Sequence, residues 1–325
     1  MEGGLGASTT PLSRALIAEL RYTWYARTPL ALLLAVAGGV AISWSGAFSG
    51  ARAADASLRR MIAEDGLSAR EIAAALAAPM TLTGEGGVIS VDNALKYEFL
   101  QASDRIWSVS SPGAFASTTL GLMTFIVLPL TFSAVGVLTA TRDLRQRTMQ
   151  MRMVRGGWSA TTLAKVVTGA LLAAATVAVT LAAAAGTSAV GRSSVAALER
   201  GFGYATAPPA ATPLLAQAMV AALVTFGFFL LGYASGAAAR SAPLPLVVLT
   251  LVLLVIPNAG VWDPRNLLGV VGAEVFTFRG GFQPSTVPGP SPAAAVLILS
   301  AAVAGACAVI ATFPRPDHRA GFARR

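Results

Sequence analysis

Thr141–Lys165 reads TRDLRQRTMQMRMVRGGWSATTLAK, and the stretches on either side, Thr118–Ala140 and Val166–Ala185, carry no charged residue. An apolar run of about 20 residues, rising ~1.5 Å per residue, is long enough to cross the ~30 Å hydrocarbon core of a bilayer as a helix. The quoted segment therefore stands in water at a membrane surface. Six of the 24 Lys and Arg residues lie in it, against one acid, Asp143. Loops rich in Lys and Arg stay on the cytoplasmic side, so its charge names the surface.

Composition agrees. A soluble domain has about 25% charged residues. This chain of 325 residues has 12%, with 55% hydrophobic residues and a mean hydropathy of +0.66. The expected fold class is an all-α polytopic membrane protein: six transmembrane helices, an N-terminal amphipathic interfacial helix and a small external helical domain. The net charge of +9 sits mainly in loops beside the spans. It is read as orientation and attraction to membrane lipid, with no nucleic acid partner. Cys307 lies in an apolar run and is read as a packing residue. His318 and Cys307 are the only residues of their kinds, too few for a metal site of three or four ligands.

The expected organisation runs along the chain as follows. Residues 1–27 form a cytoplasmic tail and interfacial helix, and 28–45 the first span. Residues 46–117 form an external helical segment, 118–140 the second span, 141–165 a cytoplasmic loop and 166–185 the third span. An external loop covers 186–213, the fourth span 214–235 and a short cytoplasmic loop 236–243. The fifth span is 244–261. Residues 262–291 make an external loop with a re-entrant or interfacial helix, 292–313 the sixth span and 314–325 a cytoplasmic tail. With this arrangement the inner segments hold 14 Lys and Arg against four acids, and the outer segments 10 against 11. The reverse orientation breaks the positive-inside rule. A chain rich in Ala, Gly and Arg and poor in Lys fits a high-GC bacterium, so the expected location is a bacterial cytoplasmic membrane, with both termini in the cytoplasm.

Local signals refine this reading. Leu12, Leu16, Ile17, Leu20 and Trp24 recur at helical spacing, with Arg14, Arg21 and Arg27 on the polar side, as in a helix lying flat in the headgroup zone. Ser68-x-x-Glu71 is a capping box before an Ala-rich run. Pro79 and the 84–87 region break that run, and Asp92–Trp107 reads as another helix. Without disulfides, so small an external segment is expected to pack on membrane loops or a second subunit.

Missing chemistry narrows function. A phosphate-binding loop needs Gly-Lys-Ser/Thr. The two lysines stand in Leu95-Lys96-Tyr97 and Ala164-Lys165-Val166, so neither serves. No Asp, Glu, Lys, Arg or His falls inside the six expected spans, whereas ion-coupled transporters usually keep such residues at membrane depth. If this chain transports, its energy is expected to come from another chain.

Two segments carry a family resemblance. Glu19-Leu20-Arg21-Tyr22-Thr23-Trp24-Tyr25-Ala26-Arg27-Thr28-Pro29 resembles the N-terminal approach to the first span in type-2 ABC exporter permeases, which has a Glu-Leu-Arg element followed by Arg-x-Pro. Thr148–Lys165 resembles that family's loop after the second span, in which an acid, a Gly-Thr pair, a Leu-rich turn, a small-residue turn with Ser, and a Lys follow in order. Asp143, Thr148, Met151, Val154, Gly156, Gly157, Ser159 and Lys165 take those places here. Arg147 replaces the family's Gly, the acid is Asp rather than Glu, and methionines replace leucines. The Arg-x-x-x-Gly-Gly-x-Ser pattern of Arg152–Ser159 is also similar to the loop of four-span mechanotransmission exporters.

The resemblance implies a coupling helix that docks on a separate ABC ATPase subunit, with Met151, Val154 and Trp158 on one helical face. It also implies a second permease chain, identical or not. This chain itself is expected to hold no cofactor and to be no enzyme, with ATP and Mg in the partner ATPase. Glu19, Arg21, Trp24 and Arg27 are the interfacial-helix residues. Thr124, Thr131, Gln217, Thr225 and Tyr233 are candidate polar contacts on a pathway for hydrophobic or amphipathic cargo. Two other classes stay open: a gradient-driven carrier without an ATPase, and a non-transporting membrane scaffold or sensor.

Overall fold

The structure, a computed structural model, describes residues 11–85, 88–145, 158–200, 213–256, 260–276, 284, 287 and 289–312. Helix α1 spans Pro11–Tyr25 and α2 Thr28–Glu64. Then come α3 (Ala69–Ala77), a hairpin of β1 (Leu82–Glu85) and β2 (Val88–Val91), and α4 (Ala94–Ser110). α5 (Pro112–Leu122) continues through a π-helical turn, Met123–Val127, into α6 (Leu128–Arg145). α7 is Trp158–Glu199 and α8 Leu214–Ala239. α9 (Pro243–Thr250) ends in a second π turn, Leu251–Val255. α10 (Pro264–Val275) and α11 (Pro292–Thr312) complete the chain.

Among the described residues, five helical stretches are long and apolar enough to cross a bilayer: Thr28–Glu64, Pro112–Arg142, Ser159–Glu199, Leu214–Ala239 and Pro292–Thr312. The chain is thus an α-helical polytopic membrane protein. The segment expected as the fifth span forms only the shorter apolar helix Pro243–Val255. At ~1.5 Å per residue its helical part reaches ~20 Å, short of a ~30 Å core. Pro257 gives the reason. A proline disfavours the α region for the residue before it, and Ile256 is extended at φ −69°, ψ 127°. The first π turn has a related cause. Pro129 lacks an N–H and its ring crowds the carbonyl four residues back, so the helix widens just before it.

Two expected spans are much longer than their apolar runs. α2 has 37 residues and α7 has 42. At ~1.5 Å per residue these reach ~55 and ~63 Å, so both project well beyond the hydrocarbon. The external segment packs on this projection rather than on loops. Ala54 and Leu58 of α2 form a second core with Leu95 and Ala102 of α4, covered by Ile72 and Phe99. The capping box is present: Ser68 N–H donates to Glu71 at 2.8 Å, and Glu71 N–H donates to Ser68 Oγ at 3.4 Å. The expected break at 84–87 is a β-hairpin, so this small domain is not purely helical. Asp92 closes the hairpin by accepting from Thr81 N–H (2.8 Å) and Thr81 O–H (2.7 Å).

The main core runs through α2, α5, α6, α7 and α8. Its closest approach is α6 against α8. A Cβ on Gly232 would collide with the Ser133 backbone, and one on Gly136 with the backbone of Phe229 and Tyr233. Without a hydrophobic drive between helices in lipid, such backbone contact supplies the van der Waals attraction that joins them. Phe229 continues the contact sideways, its ring occupying the place a Cβ on Gly169 of α7 would need. α10 is a packed helix, seated on the first π turn, where Phe276 meets Phe125 edge-to-face at 5.7 Å. Asn266, fully buried, accepts from Val287 N–H (2.6 Å) and donates to Val261 O (2.9 Å), closing the segment around α10.

Gly232→Ala is expected to destabilise the protein by about 1–3 kcal/mol, because the backbone of α6 must give way. Gly38→Ala meets nothing within 4 Å and is expected to stabilise α2 by a few tenths to about 1 kcal/mol. Thermal unfolding of the two variants in the same detergent reads the opposite signs. The Thr81 bonds hold the Asp92 carboxyl below its usual range. A carboxyl depressed in the folded state contributes stability above its unfolded pKa and loses it as pH falls through the folded value. Hairpin protection from protease should therefore drop on acidification through and below the ordinary carboxylate range, and Thr81→Val should flatten that dependence.

Candidate functional site

The site builds up at the end of the bundle where α1 crosses the helices. α1 buries two polar positions, Glu19 and Thr23. Leu12, Ile17, Leu20 and Trp24 are exposed, Trp24 by 71%, and so are Arg14 and Arg21. α1 thus grips the bundle through polar side chains and leaves apolar and basic ones outward.

Glu19 accepts from the Arg142 guanidinium, which projects from α6 at the last turns before the basic loop. Their side chains are 3% and 14% exposed, so the charges are removed from bulk water and neutralise each other. The guanidinium also lies over the Tyr22 ring, 3.7 Å from its centroid. This cation–π contact adds a second grip on α1. On the far side of the loop, Lys165 of α7 is 4% exposed. It donates to the Thr139 carbonyl of α6 at 3.2 Å, and its ammonium stands 6.0 Å from the Tyr233 ring of α8.

Glu19, Thr23, Thr139, Lys165 and Thr168 line one small cavity of about 10 Å³. That is close to the volume that holds a single water. Thr168 Oγ1 is buried there with no partner among the described residues, and one water would satisfy it. α1, α6, α7 and α8 therefore meet through two buried charge anchors, one on each side of the loop 143–157.

The loop itself is largely outside the described residues. Thr148, Met151, Val154, Arg155, Gly156 and Gly157 lie outside them. Asp143 falls in the last turn of α6 and Trp158 opens α7, but their side chains also lie outside the described set. Ser159 is exposed in the first turn of α7. Of the interfacial residues, Glu19 is buried while Arg21, Trp24 and Arg27 are exposed. Arg142 was not among the sequence candidates. Its partner is 123 residues away, and no local spacing marks such a pair.

The candidate pathway residues are scattered. Thr124, Thr131 and Thr225 donate to carbonyls four residues back on their own helices, Leu120, Val127 and Ala221, at 2.6–2.7 Å. Hydroxyls so engaged satisfy themselves within the helix. Gln217 is 1% exposed, and Tyr233 joins the charge anchors rather than the other four. Among the described residues no group of three or more His, Cys, Asp or Glu could hold a metal ion.

No family model matches the chain, and no curated protein or solved structure matches it either.

Removing one partner of a buried ion pair strands the other charge, at about 3–5 kcal/mol. Arg142→Met and Glu19→Met are each expected to lower stability on that scale. The double variant should lose much less than the two losses added, because no unpaired charge remains. A double-mutant cycle by thermal unfolding in detergent checks the sign.

Proposed function

We propose that this chain is the membrane-spanning permease subunit of an ATP-driven ABC exporter, working with separate ATPase chains and a second permease chain. The observation that carries the reading is the pair of buried anchors flanking the basic loop. Glu19–Arg142 precedes the loop, Lys165–Thr139 follows it, and both tie to elements of the bundle. A displacement of such a loop by a soluble partner would pass into α1, α6 and α7 together rather than be lost in a slack connection. The resemblance of Thr148–Lys165 to the coupling segment of type-2 exporters supports the same direction.

The topology in this proposal has six crossings, with both termini and the basic loop in the cytoplasm. Five crossings would place the four arginines after Phe313 outside, against the positive-inside rule. Pro243–Val255 then supplies the helical part of the fifth crossing. α10, which reaches the level of the first π turn, is the re-entrant piece. Non-helical backbone at membrane depth is tolerated where protein covers it. The absence of an ionisable group from the middle of the described spans favours hydrophobic or amphipathic cargo, and the location is a bacterial cytoplasmic membrane.

A mild-detergent pull-down of the tagged chain, followed by an ATPase assay, tests this. A nucleotide-hydrolysing chain is expected with the wild type and is expected to be lost when Met151, Val154 and Trp158 are changed to Asp. If the wild type brings down no ATPase, the proposal fails and the gradient-driven carrier and the membrane scaffold or sensor move ahead of it.

A further inference from the structure

We propose that the cleft between α1 and α6 binds the anionic headgroup of a phospholipid from the bilayer. The cleft encloses about 700 Å³. Tyr22, Tyr25 and Arg27 line it from the α1–α2 junction, Ala31 from the first turn of α2, and Leu138 and Arg142 from α6. Its lining is mixed: two guanidiniums and two phenol rings together with the aliphatic Ala31, Val135 and Leu138. An adjoining cleft of about 390 Å³ shares Tyr22 and Tyr25 and adds Arg14 and Arg21. Among the described residues no acid lines either cleft.

Arg142 already has Glu19 against it, so the charge left for a ligand belongs to Arg27. Among the described residues its guanidinium makes no hydrogen bond or ion pair. Its backbone is left-handed, at φ 56° and ψ 21°. A non-glycine residue is held there at a cost of about 1 kcal/mol or more. That backbone makes the corner at which α1 ends and α2 begins, and it sets Arg27 at the cleft beside Arg142. Guanidiniums match phosphate oxygens in paired hydrogen bonds. Next to Ala31, which lines the cleft, α2 exposes Leu30, Leu33 and Leu34 at 50–66%, apolar surface that acyl chains can cover. A phosphate carried on a lipid uses both the guanidiniums and this apolar surface, whereas free phosphate uses only the guanidiniums. This inference uses the interfacial position of α1 and not the ATPase pairing, so a chain without an ATPase would bind the lipid equally.

Native mass spectrometry of the full chain in a nonionic detergent tests it, with phosphatidylglycerol, phosphatidylcholine or inorganic phosphate added. The wild type is expected to retain one phosphatidylglycerol that phosphatidylcholine does not replace. Arg27→Asn keeps a residue tolerated in the left-handed region and removes the charge; it is expected to weaken that retention about five- to tenfold. Arg27→Lys is expected to recover part of it. Equal retention by wild type and Arg27→Asn, equal retention of phosphatidylcholine, or displacement by millimolar inorganic phosphate would each overturn the lipid assignment.

Discussion

Backbone contact between α6 and α8 sets the geometry of the molecule. Gly136 on one helix and Gly232 on the other leave no room for a side chain between them. Because lipid tails are as apolar as leucine, burying leucine between helices gains little in a membrane, and closeness must come from small residues. Once the two helices touch, side chains of α8 are carried past α6 into α7. Phe229 lies on Gly169, and Tyr233 comes beside Lys165. The charge anchors at the α1 end therefore rest on an uncharged contact deeper in the bundle. The α2 projection repeats the principle with a bigger residue, Trp44, whose ring covers Gly191 of α7 and meets Phe115 edge-to-face at 5.3 Å.

Much of this was legible in the sequence because hydropathy and capping are local. The apolar runs, the capping box at Ser68–Glu71 and the helix around Ala94 each declare themselves within a window of about 20 residues. Helix length did not. Past the membrane surface α2 and α7 become ordinary helices in water, with Arg52 and Arg192 among their residues, and hydropathy no longer marks where they continue. The short fifth helix was hidden for the opposite reason: its composition suits a span, and only the effect of Pro257 on Ile256 stops it. The hairpin was read as a break because two four-residue strands leave too few positions for alternation to show.

The candidate site was half legible. Glu19 and Lys165 were singled out from motifs, but as members of two separate segments. Nothing in the spacing says that they share a cavity with Thr168, or that Arg142 pairs with Glu19 across most of the first half of the chain. The amphipathic reading of α1 named Leu12, Leu16, Ile17, Leu20 and Trp24, and all but Leu16 are exposed in the structure. What composition could not supply is that Glu19 and Thr23, one turn apart, are the positions of α1 buried against the bundle, while Arg14 and Arg21 stay exposed on another side. The pathway threonines were chosen for polarity alone. A threonine in a helix has a carbonyl within reach four residues back, and that nearby partner claims the hydroxyls of Thr124, Thr131 and Thr225.

The two kinds of polar group buried in this bundle differ in what they constrain. A threonine bonded to its own helix satisfies itself and leaves that helix free to slide or turn against its neighbours. Glu19–Arg142 and Lys165–Thr139 join different helices, so relative movement must break or carry them. Breaking is costly, because a stranded charge at a site this buried has little water to replace its partner. Movement that keeps them intact is movement of α1, α6 and α7 as one body. The irregular points of the backbone lie elsewhere: the left-handed corners at Arg27 and Arg240 and the two π turns. A force applied between Asp143 and Trp158 thus meets a stiff block, and any change of shape is displaced to the corners where α2, α9 and α10 adjoin it.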